Sequence, residues 1–243
     1  MAVVNGLVLV EGLPESRRTT TARSIAGWLE DQQVDVEHWA EGRVDHPVDR
    51  PVGPEQVTVL GTADLLAIAA ESPASSRALL GAAEQHGDVW LVRHAQHPDL
   101  PPALVERIVD AGRETRVPAE VSTALVADTW ERYGATGVRG VHVWESVLLR
   151  SPDAGLVARL VEAVRSHAPA LVYLDHDRHG AATRQAQRRE QELAVVASLD
   201  LPTLVVPTGD GMSEDHTPAV LAFVADHLGL EGRSVLAGSE QVA

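Results

Sequence analysis

The residues most capable of chemistry lie in Gly6 to Thr21, where the apolar run Leu7-Val8-Leu9-Val10 meets Glu11-Gly12, a short polar loop and Arg17-Arg18-Thr19-Thr20. Strand, glycine turn, loop and helix start is the layout of the phosphate-binding pattern G-x-x-x-x-G-K-[ST]. Gly12 takes the place of its first glycine and Thr19 that of its final hydroxyl, while Arg17 replaces the second glycine and Arg18 the lysine. The chemistry such a loop offers is the holding of phosphate oxygens by backbone N–H groups, a cation and a helix N-terminus. The two replacements change that chemistry. A glycine at the second position often takes a conformation barred to residues with side chains, so Arg17 must turn outward or deform the loop. Lysine is a compact charge and arginine a planar fork, so Arg18 meets phosphate differently. All twenty basic residues of the chain are arginine, so no lysine from elsewhere can fill the place. Gly12, Ser16, Arg18, Thr19 and Thr20 are the candidate phosphate-holding residues, with Thr19 a candidate magnesium ligand.

Short apolar strands alternating with helices must position these groups. Strands are expected at 7–10, 34–39, 88–94, 140–145, 170–174 and 203–206. Helices are expected at 20–33, 62–71, 74–86, 102–114, 118–133, 153–166, 181–198 and 217–228, with a loop at 49–55. This alternation predicts a three-layer α/β/α fold with a mainly parallel sheet of about five or six strands. In such sheets ligands sit at the carboxyl ends of strands. That rule gathers Glu11 to Thr19, Glu41 to His46, Arg93-His94, Glu145-Ser146 and Asp175 to His179 on one expected rim. Residues 1–230 read as a single domain and 231–243 as a flexible tail.

Composition narrows the function. A chain of 243 residues with 44% hydrophobic content can bury a substantial core. With no cysteine, disulfides and thiolate chemistry are excluded. A formal charge of −15 disfavours nucleic acid and anionic membranes as partners. No basic leader precedes the first apolar run and no segment reaches spanning length, so a cytoplasmic protein is expected. The lysine-free composition suggests a GC-rich bacterial genome.

The stretch VEGLPESRRTTTARSIAGWL resembles VEGLPGSGKSTTA-type openings of bacterial P-loop proteins related to thymidylate and nucleoside kinases. EGRVDHPVD resembles an E-G-x-x-D-H-P-x-D segment after the second strand, and VWESVLLRSP an F-E-(small)-x-F-L-Q-N-P segment after the fourth. PALVYLDHD and REQELAVVASLDLPTLVV resemble the next strand and the closing helix–strand pair, so the agreement runs in order over roughly residues 7 to 210. The resemblance implies a kinase-like P-loop fold, ATP with Mg2+ as phosphoryl donor, and an acceptor near the second and fourth strands. The chain departs from the pattern at Arg17 and Arg18, and is shorter than the lid region of such kinases after Asp177.

On that resemblance Arg18 contacts phosphate, and Glu145 holds magnesium with Thr19 or orients an acceptor hydroxyl. Trp39, Glu41, Asp45 and His46 face the acceptor, Trp39 by stacking on a base. Arg184 and Arg188, four apart on one helix face, neutralise charge on the transferring group. Plain structural readings stand beside each of these. Thr19 serves as a helix cap, Asp45 bonds its own turn, and Glu145 pairs with a neighbouring arginine. Arg184 and Arg188 belong to a solvated face paired with Glu190 and Glu192. Asp175, His176, Asp177 and His179 suggest a metal cluster only with a partner from elsewhere. Three functions remain open: a kinase-like protein with weakened or lost phosphoryl transfer, a non-catalytic pseudo-kinase that binds a protein partner or a second copy, and sulfotransferase-like transfer.

Overall fold

The computed structural model describes residues 4–43, 45–48, 57–113, 115–177, 183–209 and 216–230. Its Cα positions cluster in two compact units, residues 1–49 with 130–243, and residues 50–129. The sequence reading took 1–230 as one domain. Its expected loop at 49–55 and tail at 231–243 lie outside the described residues.

The first unit contains β1 (Gly6–Gly12), α1 (Arg18–Asp31) and β2 (Val36–Trp39). It continues with β6 (Val141–Glu145), α6 (Ala154–Ala163), β7 (Pro169–Asp177), α7 (Thr183–Ser198), β8 (Thr203–Gly209) and α8 (Thr217–His227). Five strands form one sheet in the order β2-β6-β1-β7-β8, and every pairing is parallel. All seven residues of β1 are buried, as a central strand covered on both faces requires. Val8, Val10, Val143, Val172 and Leu174 pack with Ile25 and Leu29 of α1 and Val220 and Val224 of α8. On β6, Trp144 meets the rings of Trp130 and Tyr133, and Tyr173 of β7 donates to Glu192 of α7 at 3.0 Å. The expected three-layer α/β/α fold with a parallel sheet is therefore present. It has five strands.

The second unit is built from β3 (Val57–Gly61), α2 (Thr62–Ala69), α3 (Pro73–Ala82), β4 (Ala83–His86), β5 (Val89–Arg93) and α4 (Pro102–Gly112). Helix α5 (Ala119–Gly134) spans the boundary between units in sequence. Its three strands form a separate antiparallel sheet, β3-β5-β4. This corrects two expectations. The strand expected at 88–94 belongs to this sheet and not to the parallel one, so Arg93 and His94 do not end a strand of the parallel sheet. The helix expected at 74–86 stops at Ala82, because Gly87 takes φ 59° and turns residues 83–86 back onto β5 as a hairpin. β3 is an additional strand whose five residues were too few to stand out beside the preceding proline-rich stretch.

Candidate phosphate-binding site

Every group of the site hangs from the carboxyl ends of β1, β2 and β6, which are neighbours in the sheet. At the end of β1, Gly12 takes φ 145°, and a Cβ there would lie 2.5 Å from the Leu174 carbonyl oxygen and 2.8 Å from Ser16 Oγ. Only glycine fits that crossing. The loop then returns through Glu15 at φ 71° and Arg17 at φ 67°. Arg17 holds the left-handed conformation expected of the missing glycine, caps α1 through its backbone, and leaves its side chain exposed. Its carbonyl accepts from Thr21 N at 3.0 Å. The replacement thus leaves the turn in the glycine conformation, at a steric cost of about 1–2 kcal/mol.

The first residues of α1 reach the neighbouring strands. Thr19 Oγ1 donates to Glu145 Oε2 at 2.9 Å. Glu145 ends β6 and is 1% exposed, and its Oε1 lies 2.6 Å from His38 Nε2 on β2. Burial raises the Glu145 pKa, but hydrogen bonds from His38, Thr19 and the Glu41 backbone together outweigh it and hold the carboxyl below its usual value. Arg18 Nη2 contacts Glu41 Oε2 at 3.1 Å. Glu145 is thus satisfied by a histidine and a threonine where the plain reading had an arginine.

Behind the loop, Glu11 is 2% exposed. Its Oε1 accepts from Val147 N and Leu148 N at 2.8 Å, and Oε2 from Leu149 N at 3.4 Å. Burial drives its pKa up to about 7, against the opposing pull of those amides and of the Arg18 charge. This carboxyl ties the first strand to the segment after β6.

The expected acceptor residues also come together. Trp39 and His46 meet edge to face at 5.5 Å, and His46 meets Trp144 at 5.1 Å. Arg43 lies over the Trp39 ring at 4.2 Å. Its guanidinium pairs with both oxygens of Asp45 at 2.7 and 2.9 Å and donates to the His38 carbonyl at 3.1 Å. Asp45 therefore bonds within its own turn, to its own backbone and to the Arg43 side chain, as the plain reading expected, and arginine occupies one face of Trp39.

The arginines of α7 stand differently. Arg188 donates to buried Glu192 at 2.8 Å, Arg184 is exposed in the first turn, and Arg189 grips Asp175 at 2.5 and 2.8 Å. Of the expected cluster at 175–179, Arg178 and His179 lie outside the described residues. Among the described residues no group of three His, Asp or Glu is placed to hold a metal ion. None of the described helices is long and apolar enough to cross a membrane. His38 is the residue that sequence reasoning missed. Its position one residue before Trp39 is legible, but that β2 lies beside β6 is a long-range fact.

A glycine-led loop between the central strand of a parallel sheet and a helix, with the hydroxyl at that helix start bonded to the next strand's carboxylate, is a P-loop-like strand–loop–helix unit in a three-layer α/β/α fold. Three solved structures are similar to this chain. Thymidylate kinase from Ehrlichia chaffeensis has 13% identity and TM-score 0.45, the match covering 92% of this chain and 98% of that one. Thymidylate kinase from Candida albicans has 8% identity and TM-score 0.42, with 93% of each chain covered. A gluconokinase from Sinorhizobium meliloti has 11% identity and TM-score 0.34, with 94% of each covered. No family model matches the chain, and no curated protein sequence does.

Proposed function

We propose that the chain is a nucleotide-linked protein of the P-loop kinase type, which binds a nucleoside triphosphate at residues Gly12 to Thr20 and whose phosphoryl transfer is weakened or lost. The observation that carries this reading is the Thr19–Glu145 hydrogen bond. It joins the two residues assigned to magnesium, 126 positions apart in the chain. Ser16 adds support. Its Oγ lies buried within the loop with no hydrogen-bond partner among the described residues, so its donor is free for a phosphate oxygen.

In this reading the backbone of the loop, Ser16, Thr20 and Arg18 hold the phosphates, and Thr19 and Glu145 hold the metal. Magnesium would supply charge neutralisation between the donor phosphates. His38 keeps Glu145 ionised and oriented, so that its oxygens are ready for a metal-bound water or an acceptor hydroxyl. Trp39, Glu41, Asp45 and His46 line the acceptor side, and Arg184 and Arg188 are the cations that α7 brings toward the transferring group. Weakened turnover follows from Arg18, whose planar fork cannot reproduce the compact ammonium of the usual lysine.

Calorimetry and thermal melts with ATP, ADP and GTP plus magnesium test the reading. Binding at a hundred-fold excess over Kd is expected to stabilise the fold by about 2.7 kcal/mol. No heat and no shift at millimolar nucleotide would remove it. A second reading, a non-catalytic pseudo-kinase presenting a protein-binding surface, is favoured by one observation: Arg18 already has an internal anion in Glu41. Nucleotide binding that appears only after Arg17→Gly and Arg18→Lys together would decide for that second reading.

A further inference from the structure

Arg18 stands where a phosphate-binding cation belongs, and what it holds is a carboxylate. Its Nη2 is 3.1 Å from Glu41 Oε2. The backbone that presents Glu41 is pinned on several sides. Glu41 N–H donates to the Glu145 carboxylate, Arg43 N donates to the Ala40 carbonyl at 3.2 Å, and the Arg43 side chain is clamped by Asp45, the His38 carbonyl and the Trp39 ring. The Glu41 side chain itself is 49% exposed and meets Arg18 as an ion pair at the rim of the site. A fixed backbone keeps the carboxylate at high effective concentration beside Arg18. A side chain half exposed to solvent can still leave.

We propose that Glu41 is an internal stand-in for phosphate, a latch that occupies Arg18 and must swing into solvent before a polyphosphate anion binds. This rests on the phosphate-binding reading above and adds its regulation. The reason is electrostatic. A carboxylate left in place would face the incoming anion as a like charge at close range, while its pairing with Arg18 opposes binding directly. The same residue is tied through its backbone to Glu145, so the anion side and the metal side of the site share one turn of chain. Turnover is thereby suppressed in the resting protein without loss of the loop's shape.

The test is calorimetric titration of inorganic tripolyphosphate, with Mg-ATP as a second probe, into the full chain and four variants: Glu41→Gln, Glu41→Asp, Arg18→Gln and the Arg18→Gln/Glu41→Gln double. Glu41→Gln is expected to tighten binding by roughly five- to twenty-fold, from release of a partly exposed ion pair and loss of the like charge. Aspartate keeps the charge and loses the reach, so Glu41→Asp should recover part of that gain. In the Arg18→Gln background the effect of Glu41→Gln should shrink to about two-fold or less. Equal affinity of the native chain and Glu41→Gln overturns the latch and leaves the phosphate-binding reading standing. So does a gain of the same size in both Arg18 backgrounds, or an aspartate variant indistinguishable from the native chain, because either would mean a diffuse charge effect. No binding by any of the five proteins overturns latch and reading together.

Discussion

Glu11 is a carboxyl whose protonation opposes the usual pattern. Its folded pKa of about 7 lies above the ordinary 4.5, because burial outweighs three amide donors. The unfolded chain therefore releases this proton first as pH rises. The stabilising contribution is full below about 4.5 and is lost as pH climbs to about 7. The loss is on the order of 3 kcal/mol at most. Glu11→Gln keeps an acceptor for Val147 N and Leu148 N and removes the titration. It should be more stable than the native chain at pH 8, by on the order of 1–3 kcal/mol, and lose that advantage at pH 5. Urea melts at the two pH values check this, and parallel profiles would refute it. Glu145 behaves oppositely: its depressed value makes it a stabilising carboxylate that is lost only in acid. Two buried carboxylates in one site, one pushed up and one pulled down, differ because side chains of His38 and Thr19 bond Glu145 directly, while the hydrogen bonds to Glu11 come from backbone amides alone.

At the scale of elements, the loop between β1 and α1 depends on two backbone conformations that make opposite demands. Gly12 crosses β7 so closely that a Cβ would meet the Leu174 carbonyl oxygen. Gly12→Ala should cost more than about 3 kcal/mol through steric conflict at the first turn. Arg17 holds a left-handed conformation with its side chain in solvent. Arg17→Gly should relieve that conformation and gain up to about 1 kcal/mol, part of the relief being offset by greater chain freedom when unfolded. Denaturation midpoints of both variants test the pair. A loss in Arg17→Gly would show that the arginine side chain holds the loop. Much of this was legible beforehand, since an apolar run, Gly12 and a threonine-rich helix start are local signals. Of the separate sheet β3-β5-β4 only β5 was, because β3 follows a proline-rich stretch and a four-residue strand after a helix reads as more helix. Nor was the His38–Glu145 contact, which arises from the adjacency of β2 and β6 across a hundred residues. Latching of Arg18 by Glu41 was equally hidden. The sequence marked both as ligand-facing, but pairing distance is a property of the folded turn.

For the molecule as a whole, charge is the dominant constraint. The chain carries 35 acidic against 20 basic residues, a formal −15, and the ion pairs of the described residues mostly lie at the surface, as Arg159–Glu131 and Arg165–Glu162 do. Such pairs contribute about 0–1 kcal/mol each, so they do not offset the mutual repulsion of the unmatched carboxylates. That repulsion disfavours the compact state and acts over the Debye length, about 30 Å at ~0.01 M salt and about 8 Å at ~0.15 M. Sodium chloride in that range should therefore raise the melting temperature of the protein at pH 8, where the carboxylates are ionised. A protein held together chiefly by exposed ion pairs would respond in the opposite sense, because the same screening weakens attraction. Thermal melts across the salt series distinguish the two, and a falling melting temperature would place the stability of the fold in its surface pairs. The expected rise instead locates it in the parallel sheet, whose central strand β1 is buried along its whole length.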